Sequence, residues 1–168
     1  MKKWTLTLIV ILTYLLQTSV IPEFSINGIY PNLFLVVTCG LSFLFGSTIG
    51  AVNGFCLGLL NDFSQGRCVG LYAFLSMYIG MILGQFNKRF FKDNYVVAII
   101  FIGFATVFYE VVVYLFSMFA YSQEFSLLAL VGKSLMIAFM NMIASVIVYP
   151  ILLKIHIGIE VDRNIFGR

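Results

Sequence analysis

PNLFLVVTCGLSFLFGSTIGAVNGFCLGLLN, residues 31–61, carries no charged side chain. Read as one helix it would be ~46 Å long at the standard rise, well beyond the ~30 Å hydrocarbon core of a bilayer. Read as two, it gives helices of about 15 residues, near the lower limit for a span. Gly46, Ser47, Thr48 and Gly50 cluster in the middle, and such a cluster favours a break. The stretch therefore reads as two short spans, 31–45 and 47–61.

Outward from it, four more spans follow from the spacing of charges: 4–21, 68–87, 95–120 and 127–153. The last two are interrupted only by Glu110 and Lys133. The composition agrees. Of the 168 residues, 61% are apolar and 10% charged, against roughly 45–50% and 25% in a soluble domain. Mean hydropathy is +1.04. So few charges cannot cover a globule in water, which excludes a soluble enzyme, a nucleic-acid-binding domain and a disordered chain. The expected fold class is an all-α membrane protein of six transmembrane helices in one domain, residues 1–168.

Positive charge orients the chain. With six spans and an internal N-terminus, Lys2, Lys3, Lys88, Arg89, Lys92, Lys154, Arg163 and Arg168 are cytoplasmic. Only Arg67 is outside, and Lys133 lies in the membrane. Five spans divide the charges less cleanly and export the N-terminal lysine pair. Both termini are expected inside. The first apolar run lacks a small-residue cleavage site before Pro22-Glu23, so it reads as a retained span rather than a signal peptide.

Gly46, Gly50, Gly54 and Gly58 recur at i+4 and would share one helix face. Ser76, Gly80 and Gly84 form a second such ridge. Bare faces let helix backbones approach closely, the main source of association in lipid. They would serve either packing within the chain or docking of another protein's span. Glu110 and Lys133 lie at similar depths on neighbouring helices, and burying either charge alone costs roughly 2.5–3.5 kcal/mol. An intramembrane ion pair is expected, with a proton-relay or partner-binding role as the alternative. Gln17, Asn53 and Asn141 are expected to hydrogen-bond across helices. Pro31-Asn32 fits a helix start, and Tyr149-Pro150 should kink or end the last helix. Cys39, Cys56 and Cys68 show no metal-ligand spacing. His156, the sole histidine, stands in the tail. No catalytic motif is visible, and no catalytic, cofactor or metal residue is assigned.

The order of the motifs carries a resemblance. Leu16-Gln17 ends the first span and Pro31-Asn32-Leu33 opens the second. Then come Gly50-Ala51-Val52-Asn53-Gly54-Phe55, Gly58-Leu59-Leu60, Asp62 and Val69-Gly70-Leu71. This series resembles the MreD family, small integral membrane proteins of the bacterial rod-shape system. Many relatives carry a basic residue near the turn between spans two and three, where this chain has Phe45-Gly46. The resemblance implies a non-catalytic scaffold of the cell-wall elongation complex in the bacterial cell membrane. Its implied partners are MreC and, directly or indirectly, the actin-like MreB, the glycosyltransferase RodA and its transpeptidase, besides membrane lipid. No cofactor or nucleic acid is implied. Gln17, Pro31, Asn32, Asp62 and Gly70 would be family-motif residues.

The family's fold is similar to the substrate-binding subunits of energy-coupling-factor vitamin transporters, so such a subunit is the alternative. Residues 4–22 lack the alanine patch those subunits present to their partner, and the external loops are short for a vitamin lid. A small proton-coupled transporter using Glu110 is a third reading.

Overall fold

The computed structural model describes residues 3–26, 28–65, 70–86, 95–121 and 126–166. The cytoplasmic cluster expected at Lys88, Arg89 and Lys92 lies outside them, as do Lys2, Arg67, Cys68, Val69 and Arg168. The described residues are almost wholly helical. They form α1 (Lys3–Leu15), α2 (Leu33–Phe45), α3 (Ser47–Gln65), α4 (Leu71–Gln85), α5 (Tyr95–Tyr121) and α6 (Leu127–Phe166). After α1 the helix loosens into a π turn at Leu16–Val20, then tightens into a 3-10 turn at Ile21–Phe24 around Pro22.

Three apolar helical segments are long enough to cross a bilayer: Trp4–Phe24, Tyr95–Ala120 and Leu130–Gly158. Leu33–Phe45 and Leu71–Gln85 are apolar but shorter. At ~1.5 Å per residue the thirteen residues of α2 reach only ~20 Å. This helix needs no lipid, because every residue from Leu33 to Leu44 is buried in protein. It packs on α3, α4 and α6, with lighter contacts to α1 and α5. The core gathers around it, from Phe34, Leu35 and Leu41 to Leu57, Ile102 and Tyr109. The outer surface is the inverse of a soluble protein's. Trp4, Leu8, Phe104, Phe108, Phe119, Phe139 and Ile147 are all exposed, an apolar belt suited to acyl chains.

Gly46 separates α2 from α3. Its φ of +89° lies where a side chain is strained, and its N–H still bonds the Ser42 carbonyl at 2.9 Å. Gly46 is thus the joint between two helices and not a member of the glycine face.

Tyr149-Pro150 does not end the last helix. Proline removes one backbone donor, yet α6 runs through it to Phe166. Tyr149 and Leu152 stay buried on either side of it. Beyond the apolar run, His156 packs edge-on against Phe45 with ring centroids 4.7 Å apart. The segment expected to be a tail therefore continues as helix.

Candidate functional site

The first amide donors of a helix have no partner within it, and burial denies them water. At the start of α2 three side chains answer this demand. Asn32 caps the helix, its Oδ1 accepting the Leu35 N–H at 3.2 Å. Gln17, carried inward by the π turn, accepts the Leu33 N–H at 2.7 Å and donates to the Pro31 carbonyl at 3.2 Å. Asn141 of α6 accepts the Asn32 N–H at 2.7 Å and donates to the Thr106 hydroxyl of α5 at 3.0 Å. Three separate elements are thus pinned to one helix end. Asn53 behaves differently from expectation. Fully buried, its amide finds no hydrogen-bond partner among the described residues.

The start of α4 repeats the problem with another solution. Gly70 occupies the cap position at φ +111° and has no side chain to offer. Asp62, fully buried at the far end of α3, supplies the acceptors. Its two oxygens take the N–H groups of Tyr72 and Ala73, each at 3.0 Å. A carboxylate at the positive end of a helix dipole is favourably placed. Asp62 and Gly70 therefore form one device. The neighbouring Asn61 donates to the Tyr109 hydroxyl at 3.2 Å.

The two small-residue ridges face each other. A Cβ built on Gly54 would strike the Ser76 carbonyl, one on Gly80 the Gly50 carbonyl, and one on Gly58 the backbone of Tyr72 and Ala73. One on Gly84 would strike the Ser47 backbone and the Gly46 carbonyl carbon, 2.6 Å away in the latter case. Each step of four along α3 is matched by a step of four back along α4. The helices run antiparallel in backbone contact, and α4 covers the glycine face. An outside helix has no access to that face in this arrangement.

Glu110 and Lys133 line a common cavity of about 370 Å³, together with Gln17, Asn32, Asn61 and Tyr109. They lie within electrostatic reach of each other. No hydrogen bond or ion pair joins them directly among the described residues. Lys133 is exposed and Glu110 partly so. Either charge can therefore be lost without stranding the other in a dry pair. Each charge opens on the cavity, so Glu110→Gln and Lys133→Met are each expected to cost about 1 kcal/mol or less, as for charges held in no fixed pair geometry. Thermal unfolding in detergent checks this; a loss of several kcal/mol would restore the tight ion pair.

The family model described as rod shape-determining protein MreD matches residues 1–156. The chain belongs to the MreD family. No curated protein and no solved structure matches it. Membership makes the chain a membrane protein of the rod-shape-determining class, in keeping with its long apolar helices. In this MreD chain, Gln17, Pro31, Asn32, Asp62 and Gly70 all contribute to the hydrogen bonding or capping at the starts of α2 and α4.

Sequence reasoning did not single out Asn61, Tyr72, Thr106, Tyr109 or Ser134 as site residues. Asn61 carried a signal, standing beside Asp62 at the end of a charge-free run. Tyr109 also stood beside a singled-out residue, Glu110.

Proposed function

We propose that this chain is a non-catalytic scaffold of the bacterial cell-wall elongation complex, binding MreC and through it, or directly, MreB, RodA and the transpeptidase. The observation that carries this reading is the family match over residues 1–156. The chemistry of the polar core supports it. Gln17, Asn32, Asp62 and Asn141 are spent on backbone groups at helix starts, which suits a rigid platform. The fold is read as six spans with both termini cytoplasmic, similar to the vitamin-binding subunits of energy-coupling-factor transporters. The matched family's shape-determining role favours the scaffold over such a transporter subunit.

Depletion of the chain in its native host tests the role. Labelled MreC should lose its ordered distribution while its abundance holds, and the rods should round up. Rods that elongate normally, with MreC undisturbed, would overturn the proposal. Orientation is tested separately by Lys92→Cys. A membrane-impermeant thiol reagent added to intact cells should leave position 92 unmodified, since eight positive charges favour a cytoplasmic loop and termini against one outside. Rapid modification would refute the six-span orientation.

A further inference from the structure

The cavity holding Glu110 and Lys133 has no part in the scaffold reading, and its lining is unusual for a membrane bundle. Ionisable groups inside a span usually pair with each other or with backbone. Here neither charged group makes a hydrogen bond or ion pair among the described residues, and both face the same cavity. Ser134, next to Lys133 and only 3% exposed, also lines it. Tyr72 and Tyr109 stack with ring centroids 6.0 Å apart and line the same cavity.

These groups divide into two half-sites. A carboxylate in a cavity that aromatic rings also line suits a protonated amine, through charge-assisted hydrogen bonds and cation–π attraction. An ammonium beside a hydroxyl suits a tetrahedral oxyanion, which offers several acceptors. One ligand carrying both charges a short distance apart would satisfy both halves and leave no net charge buried. The volume of about 370 Å³ holds on the order of a dozen waters, which is ample for a lipid headgroup. Lys133 stands at the edge of the apolar belt. Its neighbours Val131 and Leu135 are exposed on the outer face of α6 while Lys133 also lines the cavity. Its place about six residues into α6 puts it ~9 Å from the helix start, near headgroup level.

We propose that this cavity binds a phosphoethanolamine group, with Glu110 receiving the amine and Lys133 with Ser134 receiving the phosphate. A phosphatidylethanolamine headgroup entering from the membrane and the free phosphoethanolamine solute share this chemistry.

Native mass spectrometry of the full chain in detergent tests it. The probes are short-chain phosphatidylethanolamine, phosphatidylglycerol of equal chain length, and free phosphoethanolamine. The expected result is one phosphatidylethanolamine per chain, with phosphatidylglycerol bound at least tenfold more weakly because it lacks the amine. Glu110→Gln and Lys133→Met should each weaken binding at least tenfold. Free phosphoethanolamine binding as tightly as the lipid would support the site and assign a soluble ligand. Much weaker binding of the free solute would support the site and assign a lipid. If a variant does not fold, the headgroup series on the unaltered chain decides alone. Equal binding of both lipids, no binding of any probe, or full binding by folded variants would each overturn the proposal.

Discussion

Gly54→Leu should strip the folded chain from the membrane and abolish rod-shape complementation. At this position even a single Cβ would sit on the Ser76 carbonyl, with the Thr38 methyl 2.9 Å away. Neither the α4 backbone nor the buried α2 side chain can give way independently, because α2, α3 and α4 pack on one another. A leucine would force α4 outward by ~2–3 Å and remove dispersion contacts along the whole ridge. Overpacking a tight core typically costs about 1–3 kcal/mol, and a rigid backbone-to-backbone contact belongs at the upper end or beyond. Gly132→Leu is the matched control, since nothing lies within 4 Å of a Cβ there. Membrane abundance and melting temperature should collapse for the first and hold for the second. Equal behaviour of the two would refute the packing account.

The second large effect is expected at Asp62. Asp62→Ala removes both acceptors from the Tyr72 and Ala73 amides, and Gly70 has nothing with which to replace them. Hydrogen bonds to a charged group are each worth about 1.5–3 kcal/mol, so a loss of about 3 kcal/mol or more is expected. Asp62→Asn keeps one acceptor oxygen and should fall between. Glu23→Ala, at an exposed acid in a 3-10 turn, should be neutral. Thermal unfolding of the three variants checks the order. A stable Asp62→Ala protein would show that the α4 start is satisfied by other means.

Much of the helical layout was legible because charge is so scarce. Glu110 and Lys133 alone interrupt the runs that became α5 and α6, and the Gly46 cluster marked the joint between α2 and α3. What stayed hidden depended on rotation and on tertiary neighbours. Counting residues from the span ends put Glu110 and Lys133 within reach of each other, but depth says nothing of the direction each points around its helix. They share a cavity rather than a contact. The two small-residue ridges had the same spacing, yet spacing alone could not show that they face each other. Asp62 looked like an acid at the end of a span. The clue to its role was the helix start eight residues later, where Gly70 stands in place of a capping side chain. Charges after Leu153 marked the end of an apolar run, and α6 continued past them as helix. Asn53 was expected to bond across helices as polar residues within spans do; among the described residues its amide finds no partner.

The central claim is that this MreD-family chain works as a membrane scaffold through the partners it holds. Purification of the tagged chain from its native membranes in mild detergent, with identification of what accompanies it, addresses this most directly. MreC recovered in stoichiometric amount, with elongation enzymes at lower yield, is the expected result. Recovery instead of an energy-coupling transmembrane subunit with its two ATPases, and no MreC, would contradict it.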